Sequence, residues 1–460
     1  MMHINNSNTS AIVEFHKKTA YERLKLKLRN KTKKYRKKSI ATLSEIVHSK
    51  TLRSEGRDAE EAPGLAKRIV RIILYVVVSV GTCILLSSPI TIFPHHDSLQ
   101  FPEYWYEHLI SGNLSVGMSI TLLRMMECKF LFKIESMVSL NAFLYLYGIW
   151  ILATIVPSLV YYAIWVAILS YNPPMPLNGI IWYLGVIVTI IATWFQIPSD
   201  ERVKENVRKK FRAYFFFEFF VSFYLCIQYD GFTLLFETIQ PELQWILAFV
   251  LPITREINIR LLNKILRYAF DDYEFVTNIN CCISHALFVT VQLGTTATTT
   301  SAYCMLAVDY LLNLYSTAKI IKLSLKIKSE SSNMAQITEK LKSELLTLTV
   351  VEMIEILSPL AYLSTLLLAY YGPNKNILGN VKGGQWQNTK IEDIGILVVS
   401  ILELFFVDLS SVIVGGLLLW KVCSIDIIRE IYVAMKSYWH MIAVELAILI
   451  VLVSNRSFCK

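Results

Sequence analysis

The chain has little charge and few helix breakers for its size: 18% Asp, Glu, Lys and Arg, with 17 glycines and 13 prolines in 460 residues. A soluble chain carries roughly a quarter charged residues and about 45–50% apolar ones. Here 54% are hydrophobic, and the excess lies in long uninterrupted runs. That excludes a water-soluble enzyme or a secreted module and leaves a polytopic integral membrane protein. Enzyme signatures are missing too: there is no GxSxG, HExxH or P-loop, and no GxGxxG opening a helix. The eight cysteines form no CxxC and no His pair stands at metal spacing. Buried free thiols are expected, with no disulfide framework, no metal and no cofactor.

What charge there is gathers at one end. Residues 1–71 carry 18 Lys and Arg against 7 Asp and Glu, a surplus of 11 that exceeds the +9 of the whole chain. The remainder is slightly acidic, so no nucleic-acid partner is expected. Within the tail, Arg23, Lys25, Lys27 and Arg29 alternate with leucines and a nearly all-basic block follows, with Lys33, Lys34, Arg36, Lys37 and Lys38. Beside a membrane such residues attract anionic lipid at the cytoplasmic surface. They also hold the tail inside. We read residues 1–68 as a basic, largely disordered cytoplasmic tail, 69–454 as a transmembrane helical domain and 455–460 as a short C-terminal tail. No cleavable signal peptide precedes the first apolar run, so that helix acts as a start-transfer anchor.

About twenty apolar residues cross roughly 30 Å of hydrocarbon. Eight segments qualify: Ile69–Phe93, Val138–Tyr171, Leu177–Ile197, Phe211–Phe236, Cys281–Tyr315, Leu346–Tyr371, Ile394–Trp420 and Tyr438–Ser454. A ninth, weaker span at Leu109–Cys128 follows from the positive-inside rule, because it returns the basic loop Ser199–Arg212 to the cytoplasm. It leaves the sequon at Asn113 near the outer side as a glycosylation candidate. It also places Arg124 and Glu127 near the inner end, where long side chains snorkel. The alternative is an interfacial helix and eight spans. Leu243–Ile253 is too short to cross and reads as re-entrant or interfacial, which puts the basic loop Lys319–Lys342 inside and the C-terminus outside. The fold class is thus all-α, a bundle of about nine transmembrane helices.

Ionisable groups inside spans cost about 2.5–3.5 kcal/mol each, so each needs a reason. Glu352 and Glu355 stand at i, i+3, about 60° apart on one face, whereas Glu403 and Asp408 on the next helix are about 140° apart. Asp309 and Asn313 form an i, i+4 pair, and Arg255 and Glu256 end the short apolar segment. Acids on adjacent helices suit a cation or proton path. The alternative is hydrogen bonding across helices, or a salt bridge to Arg255. The run Gly294–Thr300 suits either a polar cavity or close packing. Pro94-His95-His96-Asp97 lacks a distant partner and implies no metal.

In size and N-terminal orientation the chain resembles insect-type chemoreceptors. Their C-terminal Thr-Tyr…Gln-Phe signature is missing near Ala447–Lys460 and the spans are too many, so no family is assigned. The expected function is a transporter or channel for a cation or proton-coupled solute, lined by these acids. The rivals are a receptor or structural membrane subunit and an intramembrane enzyme. Expected partners are the bilayer, its anionic lipids and a small ion or solute; the sequence leaves the oligomer open.

Overall fold

The computed structural model describes residues 64–92, 101–134, 138–169, 176–270, 273–295, 299–329, 334–372 and 394–458. The tail residues Arg23 to Lys38 lie outside them. Among the described residues there are helices and no strand. In order they are α1 (Leu65–Ile92), α2 (Phe101–Phe132), α3 (Leu140–Leu169), α4 (Pro176–Gln196), the short α5 (Ser199–Val203), α6 (Glu205–Phe219) and α7 (Cys226–Thr238). A π-helical turn, Phe220–Leu225, joins α6 to α7. Next come α8 (Trp245–Leu266), α9 (Tyr273–Thr295), α10 (Thr299–Ser329), α11 (Met334–Tyr371), α12 (Ile394–Cys423) and α13 (Ile427–Phe458).

Seven of these are long and apolar enough to cross a membrane, over Leu65–Pro89, Leu140–Val160, Glu205–Phe236, Tyr273–Leu293, Gln336–Tyr371, Leu397–Cys423 and Ile427–Val451. Their outward faces are apolar: Leu74, Val77 and Leu85 on α1, Leu152 and Leu159 on α3, and Ile413, Leu417 and Trp420 on α12 are all exposed. Such a surface is costly in water, at roughly 25 cal/mol per Å². Hydrocarbon accepts it, provided the backbone is satisfied internally, as in a helix. The axis of the bundle is α9, whose spanning window is 94% buried against 17% for α1.

Several elements differ from the sequence expectation. The single span Cys281–Tyr315 is two helices, because α9 ends at Thr295 and α10 begins at Thr299. The threonine run marks the change of helix. The segment taken as short and re-entrant, Leu243–Ile253, belongs to the 22-residue α8, which continues through Arg255 and Glu256. The basic stretches read as loops are largely helical: Lys319, Lys322 and Lys326 lie on the last turns of α10, and Arg208 and Arg212 on α6. The weak segment Leu109–Cys128 lies within the 32-residue α2.

The long helices run up and down alternately, and contacts between their ends group the connections. At one end Phe132 meets Phe211 and Phe270, at 6.5 and 5.5 Å between ring centroids. Lys210 lies 5.6 Å from the Phe270 ring centre. Arg68 pairs with Asp426 at 2.6 Å and Lys319 with Glu344 at 2.6 Å. At the opposite end Phe236, Leu247, Leu293, Met305 and Leu404 form an apolar cap.

Two local devices bring helices close. Trp150, fully buried, sits between α2 and α4 and donates its Nε1–H to the Asn113 carbonyl at 3.2 Å. A Cβ at Gly117 would overlap its indole, and one at Gly185 would overlap Thr154 beside it. Only glycine permits that approach. Between α12 and α13, Ser424 adopts φ 60°. The amides of Ser424 and Ile425 reach back to the carbonyls of Trp420 and Leu419, at 3.0 and 3.3 Å. The bond from Ser424 to Trp420 closes the helix end in an αL motif. Asp426 then caps α13 through the Arg429 amide at 3.3 Å.

Candidate functional site

The packing of α10 on α8, α11 and α12, and of α11 on α12, gathers buried and partly buried polar groups contributed one or two per helix. Asp309 and Asn313 come from α10, Glu352 and Glu355 from α11, Asp408 and Ser411 from α12, and Arg255 from α8. Counting along the helices at 1.5 Å per residue, Asp309 and Arg255 lie about 15 Å from one end of the bundle, Asp408 about 21 Å and Glu355 about 24 Å. These groups therefore lie well inside the bundle and away from its ends.

Glu355 is the hub. Its Oε1 accepts from Arg255 at 3.3 Å and its Oε2 from the Asn313 amide at 2.7 Å. Asn313 also reaches Ser411 Oγ at 3.3 Å, and Ser411 Oγ stands 2.9 Å from Glu352 Oε2. One carboxylate oxygen each from Asp309, Glu355 and Asp408 lie within 4.8 Å of one another. All three residues are buried, and Asp309 Oδ1 and Asp408 Oδ1 have no protein hydrogen-bond partner. Pro359 adds a backbone feature. Having no N–H, it leaves the Glu355 carbonyl, four residues earlier, without its helical donor.

Of the residues singled out in the sequence, Asp309, Asn313, Glu352, Glu355, Asp408 and Arg255 thus meet in one place. Glu403 does not. It is exposed on α12, turned away from Asp408 as their 140° separation requires. Glu256 also leaves: it pairs with Arg260 at 2.9 Å on the exposed face of α8. Consecutive helical residues point about 100° apart, so Arg255 and Glu256 cannot act as a unit. Asn113 is 1% exposed inside the bundle, which leaves a glycan no room in this packing.

A second polar cluster was not anticipated. Arg124 and Glu127, expected to snorkel, are buried at 2% and 0% exposure. Arg124 pairs with Glu218 of α6 and, at 3.0 Å, with Glu127, while the Tyr214 hydroxyl donates to Glu127 at 3.1 Å. Glu445 of α13 is buried as well. The available signal was an acid inside each of two apolar runs: Glu218 in Phe211–Phe236, which also holds Asp230, and Glu445 in Tyr438–Ser454.

No protein-family model, curated protein or solved structure matches this chain.

Proposed function

We propose that the protein is a multi-pass membrane transporter or channel for a cation or a proton-coupled solute, with its N-terminal tail in the cytoplasm. Asp309, Glu355 and Asp408 carry the ion. The supporting observation is the meeting of three carboxylate oxygens from three helices well inside the bundle, two of those groups having an oxygen with no protein donor. Buried carboxylates this close repel one another unless a cation or a proton joins them. Arg255 supplies one positive charge, and three carboxylates exceed it.

The orientation rests on the cations. Arg202, Lys204, Arg208, Lys209, Lys210, Arg212, Lys264, Arg267, Lys319, Lys322 and Lys326 fall at the end of the bundle where the tail begins, and the positive-inside rule assigns that end to the cytoplasm. The tail there binds anionic lipid.

A receptor or structural subunit is the second reading, favoured by the bonds that already tie Glu355 to Arg255 and Asn313. Flux into proteoliposomes separates the two. Glu355→Gln and Asp408→Asn keep shape and most hydrogen bonds. Transport predicts that either abolishes flux, or its pH dependence, in folded protein. Wild-type flux from both, or none from the wild type with any cation, favours the second reading.

A further inference from the structure

Resting on that transport reading, we infer that Asp309, Glu355 and Asp408 form a site for a hard divalent cation of the Mg²⁺, Mn²⁺ or Ca²⁺ class, with Arg255 as its fixed internal counter-cation. The separations suit one ion. Oxygen ligands lie at about 2.0–2.6 Å from such cations, so two ligands of one ion stand about 3–5 Å apart. The three carboxylate oxygens are already within 4.8 Å of one another.

The charge balance selects valence. Three carboxylates less the Arg255 guanidinium leave two negative charges, which a dication neutralises and a monovalent ion does not. An uncompensated charge is costly in a low-dielectric interior. Glu352, held by Ser411, does not alter this. As the neutral acid it leaves the balance as it is, and ionised it favours a dication further.

Donor chemistry selects hardness. The neutral ligand atom beside them is also an oxygen, Ser411 Oγ, which accepts from the Asn313 amide and stands 2.9 Å from Glu352 Oε2. Among the described residues no thiol or imidazole joins the three-oxygen group. All-oxygen sets suit Mg²⁺, Ca²⁺ and Mn²⁺, whereas thiolate and imidazole select zinc or copper. The unpartnered Asp309 Oδ1 and Asp408 Oδ1, in side chains 6% and 2% exposed, are the acceptors such an ion would satisfy.

The test is Mn²⁺ binding to the purified full-length protein in detergent, followed by electron paramagnetic resonance. The wild type should bind one Mn²⁺ per chain, displaced by Mg²⁺ or Ca²⁺ and not by excess Na⁺ or K⁺. Asp408→Asn should weaken binding about 10–100-fold, no less than loss of an outer-shell partner does. Glu403→Gln, on the exposed face, should leave it unchanged. Arg255→Gln, which removes the competing cation, should tighten it. The assignment is overturned if folded wild-type protein binds no Mn²⁺, or if Asp408→Asn binds it as well as the wild type. Proton or monovalent flux lost in Asp408→Asn, without Mn²⁺ binding, would end the divalent assignment and spare the transport reading. Site-specific Mn²⁺ binding without any flux would do the reverse.

Discussion

Arg124→Leu gives the sharpest test of how this bundle is held together. The guanidinium lies among Glu218, Glu127 and Tyr214, with side-chain exposures of 3% for Arg124, 2% for Glu218 and 0% for Glu127. Removing this cation leaves Glu127 and Glu218 facing each other in a dry site. Breaking a buried ion pair from one side costs roughly 3–5 kcal/mol, whereas replacing both partners with apolar groups is often neutral. Arg124→Leu should therefore lower the unfolding midpoint of the purified protein severely, and Arg124→Leu with Glu218→Leu should recover much of the loss. Groups in contact couple by roughly 0.5–3 kcal/mol, and this pair should lie at the upper end. The assay is thermal or denaturant unfolding of wild type, both single variants and the double variant in one detergent. If Arg124→Leu stays within about 0.5 kcal/mol of wild type, the range of a surface substitution, the three residues are not buried together and the packing of α2 on α6 is wrong.

Other outcomes follow from single features. Gly117→Ala drives a Cβ into the Trp150 indole and should destabilise by roughly 1–3 kcal/mol, the usual cost of overpacking; an unchanged unfolding midpoint would contradict that contact. Ser424→Gly, at φ 60°, should raise stability by about 1 kcal/mol, since the left-handed conformation costs other residues roughly 1–2 kcal/mol. A peptide of residues 17–38 should bind phosphatidylserine vesicles with about 1 kcal/mol per basic residue near the surface and leave as salt is raised; equal binding to neutral vesicles would refute the lipid contact. Lys204→Cys and Lys322→Cys should resist a membrane-impermeant thiol reagent applied outside intact cells, while Glu242→Cys should react with it.

Much of the cluster around Glu355 was legible before the fold was. An acid in an apolar run is expensive, so Asp309, Glu352, Glu355 and Asp408 stand out in the sequence, and helical periodicity alone separates Glu403 from Asp408. The Arg124 cluster was less legible. Arg124 and Glu127 fall near the end of a weak segment, where snorkelling explains them at no cost. Only a partner 90 residues away, Tyr214 with Glu218 beside it, shows that they turn inward. The break between α9 and α10 was hidden for a different reason. Threonine is close to neutral in hydropathy, so the sequence Gly294–Thr300 does not lower the average of the run in which α9 ends and α10 begins. In α8 the reverse happened: Arg255 and Glu256 ended the apolar stretch early, although burial of Arg255 against Glu355 lets the helix continue.

These two differences have opposite effects on topology. Treating Cys281–Tyr315 as one crossing omits a passage through the bundle, and treating Leu243–Ile253 as re-entrant omits another. Each omission alone would invert every later segment. Together they restore the alternation, so the basic ends of α6 and α10 fall on one side under both accounts. The positive-inside rule constrains only the sidedness of basic segments, and sidedness depends on whether the number of crossings between them is odd or even. Two crossings between Arg212 and Lys319 satisfy it as well as four do. Charge can therefore fix which face is cytoplasmic while leaving the helix count open. In the bundle α8 and α10 are held by Arg255, Asp309 and Asn313 as well as by apolar side chains such as Leu247, Met305 and Leu306. Arg255 on α8 and Asp309 and Asn313 on α10, which lower the hydropathy of those two helices, belong to the proposed ion site, whose other carboxylates come from the plainly apolar α11 and α12.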